Sequence, residues 1–176
     1  GWGEKWESAW FHLKGEVPAG WEGEKVVAHL DFSGEGLVFD RNGKALQGIT
    51  NGSIFDHNFK RIWVPLFDKC IGSEPVELWV EAAANSLFGV YTDVDPAEDD
   101  NNRYGNFAAK VEVMKLRIFH EDLWQFWLDF RVINGLIKRL PGDSVQRSRV
   151  IKCANTAIDA YGDNQDNVEK ARKILK

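Results

Sequence analysis

The sequence has 176 residues, the size of one domain or of one domain with a small appendage. A hydrophobic fraction of 44% and a charged fraction of 28% are typical of a folded globular protein and exclude a disordered or collagen-like chain. The net charge of −5 argues against a nucleic-acid-binding protein, because such a protein needs clustered Lys and Arg side chains.

Apolar runs and cysteines indicate the surroundings of the chain. No apolar run is long enough to cross a membrane, and the first residues lack the basic and apolar regions of a signal peptide. Cys70 and Cys153 have no CxxC spacing, so we expect free buried thiols in a reducing compartment. These features predict a cytoplasmic protein without a membrane partner.

Up to residue 118 the apolar pattern has period two, which predicts an antiparallel β-sandwich or β-barrel. Residues 10–17 and 25–32 are predicted to be half-buried strands, the first with Phe11, Leu13 and Val17 on its inner face. Asn42-Gly43 predicts a hairpin with a type I′ turn. Further strands are predicted at residues 60–66, where Pro65 favours a sheet edge or a strand end, and at 76–83, 88–91 and 110–118.

From residue 119 the period is helical, and three helices are predicted. The first carries two apolar stripes, so we expect it to be covered on two sides. A second helix begins at Asp143 or Ser144 and stops at Gly162, and a capping box opens a third at Asp166. One stripe of the first helix holds Leu123, Phe126, Trp127, Phe130, Ile133 and Ile137, and the other holds Trp124, Leu128 and Val132.

Catalytic and metal-binding motifs are weak in this sequence. The four histidines lie outside metal-ligand spacing of one another or of a cysteine, and no GxSxG motif is present. Glu35, Asp40 and Glu81 could supply a carboxylate pair, but nothing in their spacing selects them from other acids. The acidic residues 93–102 predict a solvated loop, with calcium binding left open.

Several segments, in order, resemble one family. They are Trp10-Phe11, residues 34–40 (GEGLVFD), the Asn42-Gly43 turn, residues 46–50 (LQGIT), residues 80–89 (VEAAANSLFG) and the helical stretch around residues 123–144. Together they resemble the N-terminal accessory domain of family 38 α-mannosidases, with the helical linker that leads into the catalytic barrel. The resemblance implies a mainly β fold: a jelly-roll, galactose-binding-like sandwich over residues 1–118, followed by a helical segment over residues 119–176.

The resemblance also implies where the chemistry lies. The family hydrolyses terminal α-linked mannose by a retaining mechanism, with an Asp nucleophile and a bound zinc. Its zinc motif of His and Asp two residues apart has no match among the histidines here. We therefore expect no catalytic residue and no cofactor in this chain, with zinc held by an absent catalytic domain.

Two roles follow as hypotheses. The first is a support for the catalytic domain and for a homo-oligomer, with the loops at Glu35 and Gln47 reaching the rim of the substrate cleft. The second is an independent module for mannose-type glycans, for which Gln47, Asn85 and Asp93 supply hydrogen bonds. Stacking candidates are Trp63, Tyr91 and Tyr104, although Trp63 and Trp79 have the alternation expected of core residues.

Overall fold

The computed structural model describes residues 1–4, 6–50, 60–85 and 108–176. These residues form two compact units, Gly1–Phe119 and His120–Lys176. The division lies one residue after the predicted boundary. The predicted strand at residues 88–91, Tyr91, Asp93, Tyr104 and the acidic loop lie outside the described residues.

The first unit is built from antiparallel strands. In chain order they are β1 (Gly3–Glu4), β2 (Ser8–Glu16), β3 (Val26–Asp31), β4 (Glu35–Asp40), β5 (Ala45–Thr50), β6 (Trp63–Phe67), β7 (Pro75–Ala83), β8 (Ala108–Ala109) and β9 (Val113–Ile118). One sheet has the order β2-β7-β4-β5, a second has the order β6-β3-β9, and β1 pairs with β8. The predicted mainly β architecture is confirmed, and the Pro65 strand, β6, lies at a sheet edge as predicted.

The apolar core draws on both larger sheets. Val38, Leu78 and Val80 come from the four-stranded sheet, and Leu30 and Val64 come from the three-stranded sheet. Alternation explains this arrangement, because every second residue of a strand points to the same side of its sheet. The outer face of the four-stranded sheet therefore carries the residues of opposite parity, which form the candidate site described below.

The β4–β5 hairpin forms where the sequence predicts it, but its turn differs. Only Gly43 has a positive φ, of 79°, so the predicted type I′ turn is wrong, since that turn needs two such residues. The Asp40 carboxylate accepts hydrogen bonds from the backbone N–H groups of Asn42 (2.8 Å) and Lys44 (2.9 Å). These bonds hold a longer loop, with a register shift between Val38 and Phe39.

Strand β3 is more buried than predicted. Val26 and Val27 are both buried from solvent although they point to opposite sides. The strand lies between β6 and β9, as the central strand of its sheet. The expectation of a half-buried strand was wrong here, because β3 is covered on both faces. A short apolar run does not show whether one face or both faces of a strand are covered.

The second unit contains α1 (Glu121–Arg139), α2 (Val145–Tyr161) and α3 (Val168–Leu175). Its core contains Phe126, Ala157, Val168 and Ala171. The predicted helical segment is confirmed. The Arg172 Nε donates to the Asp129 carboxylate at 2.7 Å and so joins α3 to α1.

Helix ends follow the sequence signals in α2 but not in α3. Ser144 caps α2, accepting the Arg147 N–H at 3.1 Å, and Gly162 ends it in the left-handed conformation. The predicted capping box of α3 is wrong: a short 3-10 turn, Gln165–Asn167, precedes the helix, and Asn164 accepts the Asp166 N–H instead.

Candidate functional site

Two predicted site residues, Glu35 and Asn85, meet where β4 begins and β7 has just ended. The Asn85 Oδ1 accepts the Glu35 N–H at 3.1 Å, and the Asn85 Nδ2 donates to the Glu35 carboxylate. Asn85 is 8% exposed, whereas Glu35 is exposed. Asn85 therefore positions Glu35, and Glu35 is the member of the pair that a ligand can reach.

A close approach of two strands brings these residues together. A Cβ atom on Gly34 would lie 2.3 Å from the carbonyl oxygen of Ala83, so only glycine fits beside β7. The preceding Ser33 has a φ of 60°, and its N–H donates to the Asp31 carboxylate at 3.0 Å. The tight connection from β3 to β4 thus fixes the start of β4.

Gln47, the third described candidate, lies elsewhere. Its Nε2 donates to the carbonyl oxygen of Trp63 at 2.8 Å, which links β5 to β6. This side chain is partly buried and bonds the backbone of a neighbouring strand. The sugar-binding roles of Gln47, Asn85 and Glu35 stay predictions, as do those of Tyr91 and Asp93.

The outer face of the four-stranded sheet carries a cluster that we call the aromatic face, formed by Trp10, His12, Phe39 and Trp79. His12 stacks on Trp79, with ring centroids 3.8 Å apart and planes within 4°. Trp10 lies against Phe39, with centroids 5.5 Å apart and an interplanar angle of 30°. Trp10 is 57% exposed and Trp79 is 36% exposed, so flat aromatic surface remains open to solvent.

Carboxylates lie between these rings. Glu81 is directly opposite Trp10 on one side and Leu37 on the other. Glu77 accepts from His12 Nε2 at 2.7 Å and lies 3.5 Å from the Lys14 Nζ. The hydrogen bond from His12, helped by the Lys14 charge, lowers the pKa of Glu77 below its ordinary value, so Glu77 is a fixed acceptor at neutral pH.

The aromatic face was not predicted as a site, and the expected core position of Trp79 was wrong. Val80, which is fully buried, is the core residue of that part of β7, and Val64 rather than Trp63 fills the core from β6. Trp63 instead stacks on His29, with centroids 3.9 Å apart. The alternation of β2 held the missed signal, since placing Phe11 and Leu13 inside requires Trp10 and His12 outside.

Helix α1 carries a second unusual surface, which we call the α1 stripe: Trp124, Trp127, Leu128, Val132 and Leu136. Val132 is 72% exposed, and Trp127 and Leu136 are each 44% exposed. Trp127 was predicted on one apolar stripe and Trp124 on the other, but the two rings stack at 4.9 Å, with the Arg131 guanidinium 4.9 Å from the Trp127 ring centroid. Phe126 is the only buried residue of α1.

The described residues, 1–4, 6–50, 60–85 and 108–176, contain neither a metal-binding cluster nor a membrane-spanning helix. Within these ranges no three His, Cys, Asp or Glu side chains come together as a metal site. No described helix is long and apolar enough to span a membrane. Both cysteines are free: Cys70 is buried as predicted, whereas Cys153 is partly exposed.

Comparison with known proteins points to one enzyme family. Residues 1–111 match the family model described as the jelly roll domain of α-mannosidase, Ams1-like. The chain is 27% identical to α-mannosidase 2C1 of Mus musculus over 98% of its length and 27% identical to the Homo sapiens protein over 89%. It is also 26% identical to the α-mannosidase of Saccharomyces cerevisiae over 99% of its length.

The chain spans only 16%, 14% and 15% of the lengths of these three relatives. The family match covers nearly all of the β-unit, whose antiparallel sheets agree with a jelly roll. The predicted resemblance and the predicted fold are thereby confirmed. The chain belongs to the family of α-mannosidase jelly roll domains, which are accessory domains of these glycoside hydrolases.

Proposed function

We propose that this chain is a non-catalytic, N-terminal accessory part of an α-mannosidase that hydrolyses terminal α-mannosides. Its β-unit belongs to the enzyme's jelly roll family, and the chain accounts for about a seventh of the length of each relative. We assign the metal and the nucleophile to the catalytic part of the enzyme.

The observation that carries the proposed role is the α1 stripe. Its three most exposed members are a tryptophan and two aliphatic residues, Trp127, Val132 and Leu136. Leaving such a row in water costs about 25 cal/mol per Å² of apolar area relative to burial. We infer that the catalytic part of the enzyme covers this stripe and that the helical unit thereby supports it.

The residue types of the α1 stripe indicate that a protein surface covers it. Trp127 and its neighbour Trp124 form a stacked pair, and aromatic residues are enriched at the centres of protein interfaces. Arg131, which lies over the Trp127 ring, is another residue type enriched there. The stripe thus resembles the centre of an interface rather than a polar rim.

A double substitution in the whole enzyme tests this docking. Val132→Lys with Leu136→Lys places two charges in the proposed contact. We expect the free energy of docking on the catalytic part to become less favourable by about 2–4 kcal/mol. The predicted result is a lower thermal midpoint and lower mannosidase activity of the whole enzyme. The same substitutions leave the unfolding of the 176-residue chain unchanged, because both side chains are already exposed.

Asn155→Lys is the matched control, since Asn155 is an exposed polar residue on α2, in the same unit but on another helix. It adds a charge away from the stripe and is expected to change neither measurement. An enzyme that keeps its thermal midpoint and activity with both lysines would contradict the docking. Loss of oligomers alone, with activity retained, would assign the stripe to a subunit interface instead.

Two finer roles also belong to this proposal. Glu35 is exposed and held by Asn85, which suits a place at the rim of the substrate cleft. Free Cys70 and Cys153 support a reducing compartment such as the cytoplasm.

A further inference from the structure

We infer that the aromatic face is a carbohydrate-binding surface that takes a neutral pyranoside, specifically a terminal α-mannoside. Trp10, His12, Phe39 and Trp79 form this face on the β-unit, whereas the proposed docking stripe lies on the helical unit. The inference takes only the sugar class from the proposed function. The two sites have separate residues and separate tests, so either can fail alone.

The exposed indole of Trp10 can stack on a sugar ring. A pyranose has one flat side of C–H groups, which packs against an aromatic ring left open on its outer surface. Trp10 fulfils this condition, because its indole is more than half exposed while Phe39 lies beside it at 5.5 Å. Contact with Phe39 limits the side-chain freedom of Trp10, so less conformational entropy is lost when a sugar stacks there.

The carboxylates of Glu81 and Glu77 can accept hydrogen bonds from the sugar. The edges of a pyranose carry hydroxyl groups that donate hydrogen bonds, and carboxylates are strong acceptors for them. Glu81 lies directly opposite Trp10 in the ladder, at a typical Cβ separation of about 5 Å. Glu77 lies two outward-facing positions further along β7 and is held by His12 and Lys14.

Charge excludes other occupants. An anionic ligand such as a phosphate or nucleic acid would meet Glu77 and Glu81, whereas Lys14 is the only Lys or Arg on the outward-facing positions of β2, β4 and β7 and already faces Glu77. A protein partner would have to bury Glu81 beside Trp10, and burying an unpaired carboxylate is costly. A neutral, hydroxyl-rich ligand leaves the carboxylates hydrated or hydrogen-bonded.

Backbone amide shifts of the 176-residue chain provide the test. The chain is titrated with methyl α-mannopyranoside and α-mannobiose, and with methyl β-galactopyranoside as the control sugar. Saturable shifts are expected on β2, β4 and β7 with both mannosides, and none in the helical unit. A free module of this kind binds weakly, with a Kd of about 1 mM, because a single ring offers few contacts.

Three variants test whether Trp10 and Glu81 form the binding surface. Trp10→Ala is expected to weaken mannoside binding roughly tenfold, Trp10→Phe to restore part of it, and Glu81→Gln to weaken it severalfold. Trp127→Ala is the matched control, because Trp127 is an exposed tryptophan of the other unit and is expected to leave binding unchanged. The amide spectrum of each free variant verifies its fold.

Several results would overturn the inference. They are the absence of saturable shifts with either mannoside, shifts confined to residues outside β2, β4 and β7, and equal affinities of the chain and a folded Trp10→Ala variant. An equal response to the galactoside would overturn the assignment to mannosides. None of these results bears on the docking of the α1 stripe, which is measured in the whole enzyme.

Discussion

At the scale of single residues, His29 shows how burial and neighbouring charges shift the pKa of a side chain. Burial, followed by the nearby positive charge of Arg117, lowers the pKa of His29 below its ordinary value, and the negative charge of Asp31 opposes this shift. The neutral ring fits the structure, because its Nδ1 accepts a hydrogen bond from the Arg117 Nε at 3.3 Å. Lys60 and Lys115 add further positive charge.

The lowered pKa predicts a pH dependence of stability. As the pH falls, the unfolded chain takes up a proton at His29 at about pH 6.5, whereas the folded chain takes it up only at a lower pH. The contribution of His29 is therefore fully present above that pH and is lost as the pH falls through the lower folded pKa. Urea unfolding midpoints at a series of pH values from neutral to mildly acidic measure this loss.

His29→Gln provides the comparison, because glutamine can still accept from Arg117 but does not titrate. We expect its midpoint to fall less than that of the parent chain over the same series. If the unfolding midpoints of the two proteins fall equally with pH, groups other than His29 govern the pH dependence.

Single residues also show the limits of sequence-based prediction. The sequence predicted that Glu35 and Asn85 matter, but not that Asn85 holds Glu35, because their meeting depends on the pairing of β4 with β7. Trp79 was placed in the core because its position in the strand had the alternation expected of core residues. Its register against Phe39 and His12 assigns it to the outer face instead.

At the scale of elements, the connection from β3 to β4 depends on Gly34. Gly34→Ala places a Cβ atom 2.3 Å from the Ala83 carbonyl oxygen, so β4 has to move away from β7. We expect a loss of about 1–3 kcal/mol in the free energy of unfolding, measured by urea denaturation.

Gly48→Ala is the matched control for this substitution. Its added Cβ meets only the Gly36 carbonyl oxygen, at 3.8 Å, and alanine is easier to order in a strand than glycine. Its stability is expected to stay the same or rise slightly. Equal losses for the two variants would show that the approach of Gly34 to Ala83 is not the critical contact.

Most elements could be predicted from local pattern, because alternation and helical spacing are properties of neighbouring residues. Strands β2, β3, β6, β7 and β9 and all three helices lie where the pattern predicted them. The errors concern detail that depends on hydrogen bonding: Asp40 selects the hairpin turn, and Asn164 replaces the expected capping box. Local sequence signals do not determine which of several polar side chains takes a given backbone N–H.

At the scale of the whole molecule, the two units carry separate surfaces. The β-unit exposes an aromatic face flanked by carboxylates, and the helical unit exposes an apolar stripe on α1. Composition alone predicted a globular chain rich in tryptophan but not where those tryptophans lie. Strand register and helix packing are what assign each ring to an inner or an outer position.

The central claim is that the α1 stripe docks on the catalytic part of an α-mannosidase. Amide hydrogen exchange of α1, Glu121–Arg139, compared between the 176-residue chain and the whole enzyme, tests it most directly. We expect exchange at least about tenfold slower in the whole enzyme, because docking of the stripe opposes local opening of the helix. Equal exchange rates of α1 in the two proteins would contradict it.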